Sequence, residues 1–561
     1  MRRPVLRALA AAALLGACAT AAPAPRVAAQ DTAIVALRDE PETLFAPGAA
    51  STEALTVLGA MTEGLVVENE NGDLEPRLAE RVPTFENGDA SMVTQEGTSV
   101  LTVRFRLRDA ARWQDGTPVR PADIRFGWQL LSNPETKVAQ YSVAQRLKDV
   151  RALDDRTVEA VYRPGELDPR YALCCNAFVL PEAQLRDVPP AKLGDSAFAR
   201  QPMYAGPFAF KERQGNTSLT LERSPSYALG PAKLRSIVFL FRSDPNALLQ
   251  DLSSHRVDLA TGVYGVESAG ALSAIEPRGV RALFTPTLAA EHVDFNLRDP
   301  KNLAKPHPIL GARDVRVALA LAIDRDKLAR TATAGRAPVP LSYVPAPSWG
   351  APSSDVTTYG YDPAAAERML TASGWVPGPD GVRVREGVRM QLRLTVAAGN
   401  ALRDQTARQI ADALKKVGAA VTIEDAVMGS MTAPRGPLAT GQFDLALYAW
   451  VGDRDPYGWS LLYQRGQIPT AANGFSGQNF PGWNDERFSA LADEAARFIE
   501  PDARRTRYAE MNRIWTTALP ALPLYQRVSV DVADVRFREL RPQPTRRPIT
   551  WNAALWSFVG A

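Results

Sequence analysis

Hydrophobic and polar positions alternate without a fault over Leu101–Arg108. Leu101, Val103, Phe105 and Leu107 point one way, and Thr102, Arg104, Arg106 and Arg108 the other. A period of two with one apolar side predicts a half-buried antiparallel strand. The same alternation marks Phe443–Trp450, where Phe443, Leu445, Leu447 and Ala449 share one face and Asp444, Ala446, Tyr448 and Trp450 the other. Its many large side chains predict a strand buried on at least one side. Shorter runs predict a strand at Thr32–Ala36, a hairpin from Gly206–Phe210 and Ser218–Glu222, and a strand within Lys233–Phe241. Elsewhere the period is that of a helix. Leu55, Leu58 and Met61 predict one over Leu55–Leu65 ended by Gly64, and Ile124, Trp128 and Leu131 one over Pro121–Leu131 with Pro121 in its first turn. From Asp314 onward helices and strands mix. Val315, Ala318, Leu319 and Ala322 follow the i, i+3, i+4, i+7 rule. Asp362-Pro363 reads as a cap and first turn, closed by Gly374, and Ala407, Ile410, Leu414 and Val417 form a stripe closed by Gly418 before the strand Ala420–Ile423. Helices about Asp485–Phe498 and Asp502–Thr517 then run into Leu519–Tyr525. An antiparallel-rich first half and an α/β second half predict two lobes, and clefts between lobes are where ligands bind.

The strand ending at Trp450 stops at Gly452 and delivers Asp453, Asp455, Tyr457 and Trp459 into a loop. A carboxylate there offers a charge-assisted hydrogen bond to an organic cation or free amino group, with the rings as an apolar wall. Gly-Asp-x-Asp-Pro is equally the chemistry of an ordinary turn, with Asp bonding its own backbone and Pro fixing φ. From the residues alone, both readings stand.

Composition narrows the classes. The 561 residues allow three to four domain-sized units, with 45% apolar and 23% charged residues, as in ordinary globular proteins. A net charge of +3 without a basic, aromatic-interleaved stripe argues against nucleic acid as a partner. The Pro-interrupted basic run Arg536–Arg547 reads as solvated surface. At the N-terminus Arg2, Arg3 and Arg7 precede the apolar run Ala8–Ala17, too short to span a bilayer and typical of an export signal. It ends in Leu15-Gly-Ala-Cys18, which resembles a lipobox, so Cys18 is expected to be lipidated, with cleavage after Ala29 as the alternative. Ala19–Gln30 reads as a tether. Three cysteines do not make a disulfide scaffold. The neighbours Cys174 and Cys175 read as two separate half-buried thiols, with a strained vicinal disulfide as the alternative. His255, His292 and His307 are far apart and lack ligand-spaced neighbours, and no Gly-x-Ser-x-Gly or His-Glu-x-x-His occurs. No enzyme, metal or cofactor is expected.

These landmarks, in order, resemble the family 5 extracellular solute-binding proteins of ABC transporters, the oligopeptide-, dipeptide- and nickel-binding group. The matching pieces are Thr62-Glu-Gly-Leu65, Pro76-Arg-Leu-Ala79, Trp113-Gln-Asp-Gly-Thr-Pro118, Ala205-Gly-Pro-Phe208, Asp314–Arg325, Phe443–Asp455 and Leu522-Pro-Leu-Tyr525, spread over almost the whole mature chain. The resemblance implies an α/β, type II two-lobed flytrap with an additional small α+β domain (cluster C). The implied division is a signal peptide at 1–17 and a lipidated tether at 18–30, then a first lobe from 31–66, 205–290 and 525–561. The extra domain would be 67–204 and the second lobe 291–524. It also implies that Asp453 pairs with the amino group of a peptide ligand, with Trp450 and Val451 beside it, Asp455 as runner-up, and Tyr448 and Tyr525 nearby. The implied protein is a monomer, exported to the periplasm or cell surface, that captures short peptides for a membrane permease. Metal chelates or other small nutrients are the alternative cargo, and an exported hydrolase or a surface sensor the rivals from other classes. No arginine matches one that would grip a ligand carboxylate.

Overall fold

The computed structural model describes residues 30–95, 97–136, 138 and 141–559, so the expected signal, Cys18 and nearly all of the tether lie outside the described residues. Among the described residues, ten strands form one sheet that runs through both lobes. They are β1 (Thr32–Leu37), β2 (Phe208–Gln214), β3 (Ser218–Arg223), β4 (Ser236–Phe241), β5 (Leu259–Tyr264), β6 (Val280–Phe295), β7 (Gln391–Ala397), β8 (Ala420–Ala426), β9 (Leu445–Val451) and β10 (Ala521–Asp534). Their spatial order is β8-β7-β9-β6-β10-β5-β1-β4-β3-β2. In the first lobe β1 runs parallel to β4 and β5, and the β2–β3 hairpin finishes the edge. In the second, β7 lies parallel between β8 and β9.

The sixteen-residue β6 and fourteen-residue β10 join the two halves as an antiparallel pair. Their register slips between Pro286 and Ala290 and again at Glu291/His292. Pro286 has no N–H to give the ladder, and an irregular stretch bends more readily than a regular one. On one side Val280 packs in a first-lobe cluster, and on the other Val293 and Phe295 join the core of the second lobe. The slip therefore falls where the pair passes between cores, and forms the joint.

A four-stranded antiparallel sheet, ordered Ala90–Gln95, Thr98–Arg106, Thr157–Tyr162, Leu147–Ala152, carries the alternation seen in the sequence. Its Leu101, Val103, Phe105 and Val158, with Ile124 of the Pro121–Leu131 helix, share one apolar cluster with Val35, Leu37 and Phe239. The additional sheet is thus packed onto the first lobe, each fully buried aliphatic or aromatic side chain contributing about 1.5–3 kcal/mol.

Caps fix the helices where the sequence places them. Ser51 accepts from Ala54 N–H at the start of α1 (Thr52–Met61), and Asn400 from Arg403 N–H at the start of α2 (Ala401–Lys416). Gly418 follows α2 with φ +84°, left-handed backbone that suits glycine. α1 stops at Met61, short of the expected Gly64. The Met61 carbonyl is taken by Gly206 N–H at 2.8 Å, and a Cβ at Gly206 would lie 2.2 Å from that oxygen. A close approach of the segment that leads into β2, not a C-cap glycine, ends this helix. The long helix before β10 is α3 (Pro501–Ala518).

Candidate functional site

β9 is buried along almost its whole length and emerges only at its last two residues, Trp450 and the exposed Val451. Its backbone is held by β6, with Val451 opposite Ala289, and Gly452 N–H donates to Leu288 O at 2.9 Å. The chain can turn there because Gly452 lies against Trp459; a Cβ would fall 2.3 Å from that ring. Trp459 Nε1–H donates to Asp453 O at 3.0 Å and so fixes the loop that presents Asp453.

The two carboxylates of this loop have different surroundings. Asp455 receives both arms of the Arg504 guanidinium, at 2.6 and 2.7 Å, from α3. Arg504 is fully buried, lies against the rings of Trp349 and Tyr508, and also donates to Tyr508 Oη. Burial works to lower its pKa, but the hydrogen bonds it donates to Asp455, with Tyr508 beside it, outweigh that and hold the guanidinium above its usual range. This committed, bidentate pair makes Asp455 part of the scaffold. Asp453 is half exposed and pairs across the cleft with Arg170 of the additional domain. Between them Arg454 reaches back to Glu68, Nε to Oε1 2.9 Å, and to the Glu70 carbonyl.

The aromatic candidates divide in the same way. Trp450 lies partly open, stacked between His292 (6.2 Å between centroids) and Phe480 (5.9 Å). Tyr448 and Tyr525 face the interior instead. Tyr448 bonds Asp294, and Tyr525 shares a 3.0 Å hydrogen bond with Thr406 of α2. Burial raises the pKa of both phenols. A buried phenol already holding a partner sits beneath a site wall and does not line it.

Several residues outside the site expected from sequence gather near Asp453. Glu63 accepts from Tyr227 Oη at 2.5 Å and from Gly64 N–H at 3.1 Å, and burial raises its pKa against the pull of Arg77. Burial likewise raises Glu68, with Arg454, Arg547 and Arg170 opposing and Asp453 adding to the shift. A cavity of about 280 Å³ opens here, lined among others by Glu63, Asn176, Tyr204 and Arg547. Arg547 closes the run expected to be solvated, yet it turns inward. Cys174 and Cys175 were expected to be half-buried; both are buried thiols, with sulfurs 2.8 Å apart. The three histidines are separately engaged, His255 with Asp534 at 2.7 Å, His307 with Asp444 at 3.1 Å and His292 near Asp294 at 3.4 Å.

The chain matches the family model described as bacterial extracellular solute-binding proteins, family 5, middle region, over residues 73–468. It is 23% identical to the oligopeptide-binding protein AppA of Bacillus subtilis over 73% of this chain and 70% of that protein. Among solved structures, it is similar to an oligopeptide-binding protein of Thermus thermophilus complexed with a pentapeptide (TM-score 0.71, 23% identity, 94% and 96% of the two chains). It is also similar to NikZ of Campylobacter jejuni in complex with Ni(L-His) (TM-score 0.71, 20% identity, 94% and 99%).

Proposed function

The chain belongs to the bacterial extracellular solute-binding proteins of family 5, and on that premise we propose that it is the ligand-capturing component of an ABC importer whose cargo is short peptides. Support for the cargo comes from Asp453, a cleft carboxylate with an exposed guanidinium as its ion-pair partner, standing beside an open aromatic face and the end of a strand. A peptide's ammonium exchanges with Arg170 at Asp453, its backbone runs along the exposed end of β9, and Trp450 gives an apolar wall. Closure about the β6–β10 joint removes Asp453 from water, which is tolerable only with a cation against it. A ligand that adds such contacts in the closed form shifts the population toward it, and the permease receives the closed form. We read the protein as a binding protein and not an enzyme, and assign the membrane anchor to Cys18.

Calorimetric titration with trialanine and N-acetyl-trialanine tests the role of Asp453. A charge-assisted hydrogen bond contributes about 1.5–3 kcal/mol, so Asp453→Ala weakens trialanine binding roughly ten- to a hundredfold, and acetylation weakens the parent similarly. Equal binding of trialanine by parent and variant sinks the assignment.

A further inference from the structure

Cys174 and Cys175 stand between a cleft contact and a cavity wall. Just before them, Arg170 reaches across to Asp453. Just after them, Asn176 lines the cavity beside α1 and holds its rim, accepting from Leu65 and Val66 N–H at 2.9 and 3.2 Å and donating to Val66 O at 2.7 Å. Each cysteine belongs to a short 3₁₀ turn. Cys174 closes Tyr171–Leu173 with its N–H on Tyr171 O at 3.2 Å, and Cys175 opens Asn176–Phe178 with its carbonyl accepting from Phe178 N–H at 3.0 Å. The second turn is pinned against the Pro121–Leu131 helix, where a Cβ at Gly127 would lie 2.1 Å from Phe178 O.

Both thiols are buried in the apolar cluster shared by the additional sheet and the first lobe, Cys175 fully and Cys174 with 5% of its surface open. Two unrelated buried thiols behave as small hydrophobes packed against carbon. Here the sulfurs face each other at 2.8 Å, one donating to the other, and a covalent S–S bond of about 2.05 Å asks for only a small further approach. A protein of an extracellular solute-binding family works outside the reducing cytosol, where such a pair meets oxidants. Burial pushes the Cys175 thiol well up, and the neighbouring Cys174 and Asp168 push the same way. Cys175 therefore keeps its proton, and the more open Cys174 is the thiol that attacks. Neighbouring Cα atoms lie about 3.8 Å apart, below the usual disulfide span of about 4.4–6.8 Å, so a ring across them is strained and readily reduced.

We propose that Cys174 and Cys175 form a reversible redox site, oxidised to a vicinal disulfide by low-molecular-weight disulfides and coupled through Asn176 to the ligand cavity. The Cys174 thiolate attacks one sulfur of the disulfide RSSR and expels RS⁻, which takes up the proton that Cys174 released. The Cys175 sulfur then displaces the second RS⁻ from Cys174, and its proton goes to that leaving group. Two protein thiols are oxidised, RSSR is reduced to two RSH, and a dithiol reductant reverses both steps. RSSR gains access by local opening before Cys174, where a single 3₁₀ turn is tethered at its start by the half-exposed Arg170–Asp453 pair. Ring closure constrains the peptide between the cysteines, and with Phe178 pinned the change falls on Asn176 and loosens its hold on the cavity rim. The coupling rests on the capture reading above; the thiol chemistry does not.

Hydroxyethyl disulfide, small and neutral, is the probe. The mature protein is treated with it or with dithiothreitol and trapped with N-ethylmaleimide in denaturant, and the tryptic peptide 171–186, which holds both cysteines, is weighed. Reduced protein should carry two maleimides. Oxidised protein should carry none and give a peptide lighter than the dithiol by two hydrogens, and dithiothreitol should restore both maleimides. Cys175→Ala should stop at the mixed disulfide on Cys174, and Cys174→Ala should stay unmodified. Two maleimides on the parent after the probe, or a stable mixed disulfide on each of its cysteines, overturns the redox site. In calorimetry the oxidised parent should bind trialanine at least about threefold more weakly than the reduced parent, with no effect of either treatment on the double variant Cys174→Ala, Cys175→Ala. Equal or tighter binding by the oxidised parent overturns the coupling. If trialanine binds neither form, the capture reading fails and the peptide masses decide the redox site by themselves. They do so on the parent, even where a variant fails to fold.

Discussion

Asp453 and Asp455 stand two residues apart on one loop, and their partners give them opposite jobs. Removing the Asp455 charge strands the fully buried Arg504. Asp455→Asn should therefore lose about 3–5 kcal/mol of stability, measured by denaturant unfolding of the second lobe. Asp453→Asn should unfold like the parent, because its pair with Arg170 is half exposed and such pairs are worth about 0–1 kcal/mol. By the same figure Arg170→Ala, which frees Asp453 for a ligand, should tighten trialanine binding by up to about fivefold in calorimetry and leave N-acetyl-trialanine unchanged. A fall in trialanine affinity would make Arg170 a ligand contact in its own right. The loop position of Asp453 was legible in the sequence because a strand, a glycine and a carboxylate follow one another there. The commitment of Asp455 was not, since Arg504 lies 49 residues later on a helix whose face cannot be matched to a loop from sequence. The burial of Tyr448 and Tyr525 was illegible for a related reason. Alternation says which face a residue takes but not whether that face meets a cleft or a core.

Elements with one clear environment were readable. The strand at Thr98–Arg106, the helices at Pro121–Leu131 and Ala401–Lys416 and the buried β9 follow their patterns and caps. The two crossing strands were not anticipated: no strand was expected over Val280–Phe295, and Leu519–Tyr525 was read only as the stretch the last helix runs into. β6 passes from one core across a gap into another and carries Arg281, Pro286, Glu291, His292 and Asp294, so no single period survives along it. Its buried Glu291 is satisfied only by Arg403 from α2 and Arg527 from β10, at 2.8 and 2.6 Å, groups no local window contains. β10 hides a comparable cost. Burial pushes Asp531 up to about 6, with a bond to Thr261 opposing it. The folded state therefore holds this proton more tightly than the unfolded chain, and stability falls as pH rises from about 4 through about 6. Asp531→Asn should stabilise the protein at pH 7.5 by up to about 3 kcal/mol, read as a higher melting temperature, and change it little at pH 4. A gap that does not widen with pH would mean that Asp531 is ionised at no cost.

At the scale of the molecule, a single sheet runs through both lobes, and the register of its long β6–β10 pair slips where it passes between their cores. Two ion pairs span the cleft among the described residues, Arg170 to Asp453 and Arg454 to Glu68. Arg454 and Glu68 are the more buried pair, and cutting it should shift the closed population by about fivefold or more. Small-angle scattering should then give Arg454→Ala a larger radius of gyration than the parent without ligand, and peptide should narrow the difference. Equal radii would place closure in the sheet joint alone. The central claim, that this flytrap carries peptides, is tested most directly by native mass spectrometry of the mature protein purified from cells, followed by gentle denaturation to release what it holds. A heterogeneous set of short peptides with free amino and carboxyl ends is the predicted result. A single defined mass with no peptide bond would contradict it and make the protein a receptor for one dedicated nutrient or chelate.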